Sequence, residues 1–268
     1  MRPAASLIFV YALVAQARGD EPRPGPPADF KVQIENFGAR KEPVRRAELI
    51  VRKGRAYWLM SDSNEVAVYE PAAGQIELLD LERMERTDLP LKKLDEALTR
   101  WRGVKLTATD KLQRAGGRAN TLAAGMGRDL IEPKMEVTFD AASNRLRMSN
   151  PSVDVDATGE PEPDPVRRAF EADSLAWFLK LETIRNPEAL PPYCALDALR
   201  GLTRDRTLRP LEITFLFRLA GPPLKVRWTY RLLPSLTARE HASVSKIDVA
   251  REHAKFVRFD RYEEEDAP

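Results

Sequence analysis

Residues 211–232 read LEITFLFRLAGPPLKVRWTYRL, two apolar runs separated by Gly-Pro-Pro. In the second run apolar residues alternate with charged or polar ones, as in a β-strand with one buried face and one hydrated face. The first run alternates in nearly the same way, and Gly-Pro-Pro is typical of a turn. The stretch therefore predicts a β-hairpin with four aromatic side chains on its apolar face: Phe215, Phe217, Trp228 and Tyr230.

Short alternating runs of the same kind occupy residues 30–34 and 44–80, with turns expected at Lys53-Gly54 and at residues 72–74. Further strands are expected within residues 136–155, and a closing strand within residues 256–262. Many short strands joined by tight turns indicate an antiparallel meander. We expect these strands to extend the hairpin into one sheet.

Helical patterns lie between these strands. Leu91, Leu94, Leu98 and Trp101 follow a three-four spacing, which predicts an amphipathic helix with Pro90 in its first turn and its end at Gly103. The glycines at 116–117 and 125–127 are interpreted as turns. Helices are also expected at residues 170–179, with a possible new start after Asp173, around Cys194 and at residues 245–254. The fold class is α+β, an antiparallel sheet covered by amphipathic helices.

The chain begins with a segment typical of a secretory signal. A basic Arg2 precedes nine apolar residues from Leu7 to Ala15, and small residues at Ala15 and Ala17 suit a signal peptidase. This run is far shorter than the ~20 residues of a membrane-spanning helix. We divide the chain into a signal peptide (1–19), an extended Pro-rich spacer (20–28), a single domain (29–262, with a possible internal break at 161–165) and an acidic tail (263–268). The mature protein is expected to be exported, periplasmic or extracellular, without a stable membrane span.

Charge and cysteine content narrow the function classes. The chain has 43 basic and 41 acidic residues, and cleavage after Gly19 would remove Arg2 and Arg18 and balance them. Basic and acidic residues are interleaved, which argues against a nucleic-acid partner. Cys194 is the single cysteine, so no internal disulfide can form. We interpret it as a buried small side chain, because a nucleophilic cysteine would need a histidine partner.

Candidate catalytic and metal-binding motifs are weak. Residues 243–246, SVSK, match the S-x-x-K pattern of serine acyl-enzymes, but a serine before a helix is also what an N-cap requires, and we favour the cap over a nucleophilic Ser243 beside Lys246. His241 and His253 lack the spacing of paired metal ligands. The glycine pairs lack the remaining residues of a phosphate-binding loop. Asp154 and Asp156 share a strand face that we expect to be hydrated. No catalytic, cofactor or metal residue is predicted.

Residues 47–80 resemble a known family. A strand, Lys53-Gly54, Tyr57-Trp58 and a polar loop are followed by EVAVYEP at 65–71 and QIELLD at 75–80. This order is similar to the early sheet of the periplasmic lipoprotein-carrier superfamily (LolA-like). The resemblance implies a strongly bent antiparallel sheet, a half-open barrel lidded by helices, and an activity of holding lipoprotein acyl chains. It transfers no ligand-contacting residue.

These observations lead to three hypotheses. The first is a soluble, non-enzymatic protein that binds a lipid, an acyl chain or another apolar ligand in the concave face of a bent sheet, with Phe215, Phe217, Trp228 and Tyr230 lining the site. The second is an envelope interaction or scaffold protein with a packed core and no ligand. The third is a serine hydrolase. Whether the concave face is hollow or filled stays open at this point.

Overall fold

We describe the fold from a computed structural model, which covers residues 26–38, 40–186, 191–218 and 222–264. Within these residues the chain forms one twelve-stranded sheet and six helices, so the α+β class is confirmed. In chain order the elements are β1(Phe30–Asn36), β2(Arg45–Arg52), β3(Arg55–Met60), β4(Glu65–Glu70), β5(Gln75–Asp80), β6(Glu85–Pro90), α1(Leu91–Ala115), α2(Arg118–Ile131), β7(Glu136–Asp140), β8(Arg145–Ser149), β9(Val153–Pro161), α3(Pro165–Arg185), α4(Tyr193–Thr203), β10(Leu208–Phe217), β11(Leu224–Leu233), α5(Ala238–His253), β12(Lys255–Phe256) and α6(Phe259–Glu264).

The sheet has the strand order β12-β6-β5-β4-β3-β2-β1-β11-β10-β9-β8-β7. Every neighbouring pair is antiparallel except β12 and β6, which are parallel. β12 and β7 lie at opposite edges, so the sheet is not closed. The first strand pairs on one side with β2 and on the other with β11, so segments far apart in the chain meet in the middle of the sheet.

The predicted aromatic hairpin is confirmed as β10 and β11. Phe215 lies opposite Val226, and Ile213 lies opposite Trp228. Gly221 of the predicted turn lies outside the described residues. Since side chains alternate along each strand, the register places the aromatic residues of both arms on one face.

Helices cover both faces of the sheet. One face carries the larger core, into which α3, α4 and the start of α1 bury Phe178, Leu199 and Leu94. The opposite face of β2 to β5 carries a smaller core closed by Val244 and Ile247 of α5. The central strands are therefore buried on both sides, which explains the nearly continuous apolar runs of β4 and β5.

The predicted end of the first helix at Gly103 is wrong. α1 continues to Ala115, and the interruption falls at Gly116 and Gly117, whose φ angles of 66° and 81° suit glycine. A single glycine in a helix costs about 1 kcal/mol, which does not stop a helix held by tertiary contacts. Pro90 is the residue that precedes the first turn, where its missing N–H removes no helical bond.

The predicted turn at residues 125–127 is also wrong, because these residues lie inside α2. A Cβ atom at Gly127 would lie 3.0 Å from the Oγ1 atom of Thr109 on α1. The glycine therefore permits a close approach of two helices, and it does not mark a loop.

Three further boundaries differ from expectation. α3 is one continuous helix through Asp173, with Asp164 as its N-cap. α5 begins at Ala238 and is capped by Thr237, so Ser243 lies inside the helix and the capping interpretation of Ser243 is wrong. Residues 256–262 form the end of a two-residue strand and then α6, because the hydrophobic residues there pack as a short helix with Tyr262 fully buried.

The predicted segments of the chain fall only partly within the described residues. Strands before and after residues 161–165 join the same sheet, with β9 paired to β10 across this segment. The predicted signal peptide (1–19) and residues 20–25 of the spacer lie outside the described residues, as do residues 265–268 of the acidic tail. The first two residues of the predicted tail, 263 and 264, are the last residues of α6.

Candidate functional site

A cavity of about 420 Å³ lies between the central strands of the sheet and the helices α3 and α4. Strands β1, β2, β3, β10 and β11 form one wall, and the two helices form the other. Among the residues that the structure describes, twenty-four line the cavity, and more than half of them are apolar or aromatic residues of the sheet and the two helices: Ile34, Ala47, Trp58, Met60, Leu175, Phe178, Leu179, Cys194, Ala195, Phe215, Phe217, Val226, Trp228 and Tyr230.

The structure brings all four predicted site residues together in the wall of the cavity that the strands form. Phe215, Phe217 and Tyr230 are buried, and Trp228 is partly buried. The ring centroids of Phe215 and Phe217 are 6.0 Å apart, and Phe215 meets the edge of Trp228 at 5.8 Å. The alternation of the hairpin thus identified one wall of the cavity.

The wall of the cavity that the helices α3 and α4 form was not identified from sequence. Trp58 on β3 stacks on Phe178 of α3, with ring centroids 4.8 Å apart. A usable signal exists, because the lining residues of α3 recur every three or four positions along one helical stripe. They are Leu175, Phe178, Leu179, Glu182 and Thr183, followed by Asn186 just beyond the helix.

Charged groups gather at the rim of the cavity. Arg45 of β2 donates a hydrogen bond to Glu182 of α3 at 3.0 Å, and its Nε atom lies 3.5 Å from a carboxylate oxygen of Asp62. Arg46 pairs with Glu35 at 3.0 Å. These partly exposed groups place the polar boundary of the cavity where β2 faces the end of α3.

The cavity wall offers few polar contacts. The indole Nε1 atoms of Trp58 and Trp228 are shielded from solvent and have no hydrogen-bond partner among the described residues. The Thr183 hydroxyl donates to the Leu179 carbonyl within its own helix at 2.9 Å. Burial, together with the nearby charge of Glu171, raises the pKa of Tyr230 far above its usual value, so its phenol stays neutral.

Cys194 lies in the helical wall as a free, buried thiol. Burial, with a smaller contribution from the charge of Asp197, raises its pKa to about 12. At neutral pH the side chain is therefore an uncharged thiol, and thiolate is the nucleophilic form. The interpretation of Cys194 as a buried small side chain is confirmed.

The other motifs lie away from the cavity. Ser243 and Lys246 belong to α5, which packs against the opposite face of the sheet, and neither lines the cavity. His241 and His253 are on the same helix. In the described part of the chain, no three His, Cys, Asp or Glu side chains are arranged to hold a metal ion.

Asp154 and Asp156 do not face each other as a catalytic pair. Each carboxylate binds an arginine, Asp154 that of Arg218 and Asp156 that of Arg145. Their strand face is thus partly solvated and neutralised by local ion pairs.

Sequence reasoning also missed a buried ion pair near Tyr230. The guanidinium of Arg209 on β10 contacts the carboxylate of Glu171 on α3, and it also donates to Glu160 at 2.6 Å. Glu171 stands in the charged stretch VRRAFEAD, where nothing in the spacing separates one buried acid from its exposed neighbours. The pair fixes the helical wall to the strands.

Neither the models of known protein families nor the curated proteins contain a match to this chain. Among the residues that the structure describes, no helix combines the length and apolar character needed to cross a bilayer. The cavity is consequently the feature on which a function can be argued.

Proposed function

We propose that this protein binds a lipid, an acyl chain or another apolar ligand in the cavity between the central strands and α3 and α4. The observation that carries the proposal is a mainly apolar cavity of about 420 Å³ between the central strands and the helices α3 and α4. Pockets for small ligands span about 300–1,000 Å³ and are lined mainly by hydrophobic and aromatic side chains. The cavity meets both criteria.

The chemistry of the walls supports an apolar ligand. Aromatic and aliphatic side chains from five strands and two helices surround the space, whereas charged groups are confined to the rim beside Arg45 and Glu182. Burial of apolar surface at about 25 cal/mol per Å² would supply the binding free energy. A chain-like apolar molecule with its polar end at the rim fits this distribution.

We further propose that the sheet bends around the cavity as a half-open barrel. Strands β3 and β10 are four neighbours apart, a distance of about 19 Å across a flat sheet. Trp58 of β3 and Phe217 of β10 nevertheless line the same cavity. This supports curvature toward the helices, as the resemblance to the periplasmic lipoprotein carriers implies.

Export follows as part of the same proposal. The N-terminal signal pattern supports a location in the periplasm or outside the cell, where a carrier of apolar molecules could act between membranes. Lipoprotein acyl chains are one candidate cargo, and free fatty acids or phospholipids are others with the same apolar chemistry.

The test combines the native protein with two variants that fill the cavity. The chain is purified without detergent, extracted with organic solvent and analysed by mass spectrometry, and then titrated with a fluorescent fatty acid. Ala195→Leu and Ala47→Leu each place a larger side chain in the wall. Displacing about two methylene groups of ligand costs ~1.6 kcal/mol, so we expect affinity to fall by more than tenfold.

Ala242→Leu is the matched control, since Ala242 is exposed on α5 and does not line this cavity. It should bind the fatty acid as the wild type does. Absence of extractable lipid together with absence of saturable binding in the wild type would refute the proposal, and would favour an interaction or scaffold protein without a ligand.

A further inference from the structure

The helices α1 and α2 form a hairpin that extends beyond the core. The first turns of α1 are anchored by buried Leu94 and Leu98, and the end of α2 by Ile131. Between Asp110 and Ala123 no residue is buried. We call residues 103–123 the hairpin tip; Thr109, against Gly127, is its one buried side chain among the described residues.

This hairpin concentrates positive charge. Residues 91–131 contain nine basic and four acidic residues, whereas the rest of the chain contains 34 basic and 37 acidic residues. Some of these charges are paired: Asp95 binds Lys180, Asp110 binds Arg128 within the hairpin, and Arg102 binds Glu132. The basic residues of the tip are Lys105, Lys111, Arg114 and Arg118.

The same tip exposes aliphatic side chains. Val104, Ala108, Leu112 and Ala115 follow a spacing of four, four and three, which places them on one face of α1 within an arc of about 80°. Val104 is 68% exposed and Leu112 is 40% exposed. Lys105 and Lys111 border this face.

We propose that the hairpin tip docks on the surface of a membrane that carries anionic lipids. Helices with Lys and Arg beside exposed aliphatic residues bind in the interface between head groups and acyl chains. The basic residues are attracted by the surface potential of anionic lipids, and the exposed valine and leucine gain burial there. Nucleic acid fits less well, because a polyanion in water offers no apolar phase for Val104 and Leu112.

The position of the hairpin suits this role. The guanidinium of Arg102 lies over the ring of Tyr193, 5.4 Å from its centroid. Tyr193 stands between Pro192 and Cys194, which both line the cavity. The base of the hairpin thus adjoins the cavity wall, although membrane docking does not depend on what the cavity holds.

The experiment measures co-sedimentation of the full chain with sucrose-loaded vesicles. Vesicles of phosphatidylcholine alone are compared with vesicles containing phosphatidylglycerol, at low salt and at high salt. We expect at least about tenfold stronger partition to the anionic vesicles, and its loss at high salt. Replacing Lys105, Lys111, Arg114 and Arg118 together by Gln should reduce this partition by about tenfold or more.

The control variant carries four Gln substitutions at exposed basic residues outside the hairpin: Lys41, Arg147, Lys225 and Arg231. It has the same net charge as the tip variant and should retain most of the partition. A third variant, Val104→Ser with Leu112→Ser, should bind the anionic vesicles more weakly, and the salt dependence of its binding should be unchanged.

Equal loss in the tip variant and the control would overturn the proposal, as it would mean that only net charge matters. Stronger retention on single-stranded DNA than on vesicles, unaffected by the two serine substitutions, would overturn it in favour of a nucleic-acid partner. Circular dichroism of each variant checks that the fold is intact, and all of the substituted positions except the partly buried Lys105 are exposed.

Discussion

Arg209 donates two hydrogen bonds to Glu171, at 3.1 and 3.3 Å, and both side chains are at most 1% exposed. The pair joins β10 to α3 across the core. Burial raises the pKa of Glu171, and the positive charge of Arg209 opposes that rise. A buried charge that loses its partner is strongly destabilising, even where the intact pair adds little net stability.

Arg209→Met should therefore lower the free energy of unfolding by about 3–5 kcal/mol at pH 7, measured by urea denaturation. The double variant Arg209→Met with Glu171→Leu removes both charges and should recover much of that loss. Arg258→Met is the control, because Arg258 and Asp260 form an exposed pair, and it should change stability by less than about 0.5 kcal/mol. A small effect of Arg209→Met would contradict the described geometry.

Glu240 should make stability depend on pH in the acid range. Burial acts to raise its pKa, but hydrogen bonds from Lys31 and from the backbone and hydroxyl of Thr237 outweigh it and lower the pKa from 4.5 to about 2. The unfolded chain therefore takes up the proton first, and the stabilisation present above about pH 4.5 is lost as the pH falls toward 2.

We expect Glu240→Gln to have a lower melting temperature than the wild type at pH 7, with the difference shrinking as the pH approaches 2. Glu252→Gln, at an exposed position of the same helix, is the matched control and should follow the wild type. A constant difference from pH 7 to pH 2 would mean that the Glu240 carboxylate is not the titrating group.

The start of α5 depends on Thr237. Its side chain accepts a hydrogen bond from the Glu240 N–H at 3.3 Å, in a capping box with the Glu240 carboxylate. Thr237→Ala should cost about 1 kcal/mol of stability in a urea titration. Ser243→Ala, inside the same helix, should be nearly neutral, since alanine is the better helix former. Equal costs for the two variants would place the helix start elsewhere.

Cys194 should react slowly with thiol reagents in the folded protein. Raising its pKa from 9.0 to about 12 lowers the thiolate fraction at pH 8 by about a thousandfold, and burial adds a steric barrier. Labelling by a disulfide reagent should accelerate strongly in urea, and a bound fatty acid should slow it further in the native state. Cys194→Ala with Ala141→Cys, which moves the thiol to an exposed turn, should label rapidly with or without fatty acid.

The sheet was largely predictable because apolar and polar residues alternate within each strand, and this pattern can be seen in the local sequence. The hairpin of β10 and β11, the turns at Lys53-Gly54 and Gly74, and the strands β2 to β5 follow directly from it. β6 escaped detection because its sequence, ERTDLP, is mostly polar and is held by pairing with β5. Tertiary pairing there overrides local propensity.

Helix boundaries were less predictable, since tertiary contacts decide which glycines interrupt a helix. Gly103 is exposed inside α1 and Gly127 packs on Thr109, whereas Gly116 and Gly117 adopt positive φ angles. The sequences around these four glycines have a similar amino-acid composition. The sequence alone therefore cannot separate a tolerated glycine from a terminating one.

The candidate site was half predictable. The four aromatic residues of the hairpin were identified because alternation along the strands assigns them to one face. Their partners Trp58 and Phe178 come from a strand and a helix far apart in the chain, and nothing in their local spacing links them. The cavity exists because the side chains of its two walls leave a volume unfilled. This can be seen only in the assembled structure.

The central position of β1 bears on how the protein acquires its fold. Lys31 pairs with Leu233, so the middle of the sheet joins segments that are about 200 residues apart in the chain. Such distant contacts form late and slow the search for the native state. All residues between β1 and β11 must be synthesised before this pairing can form, and a truncation that removes β11 would leave β1 with an unpaired, aggregation-prone edge.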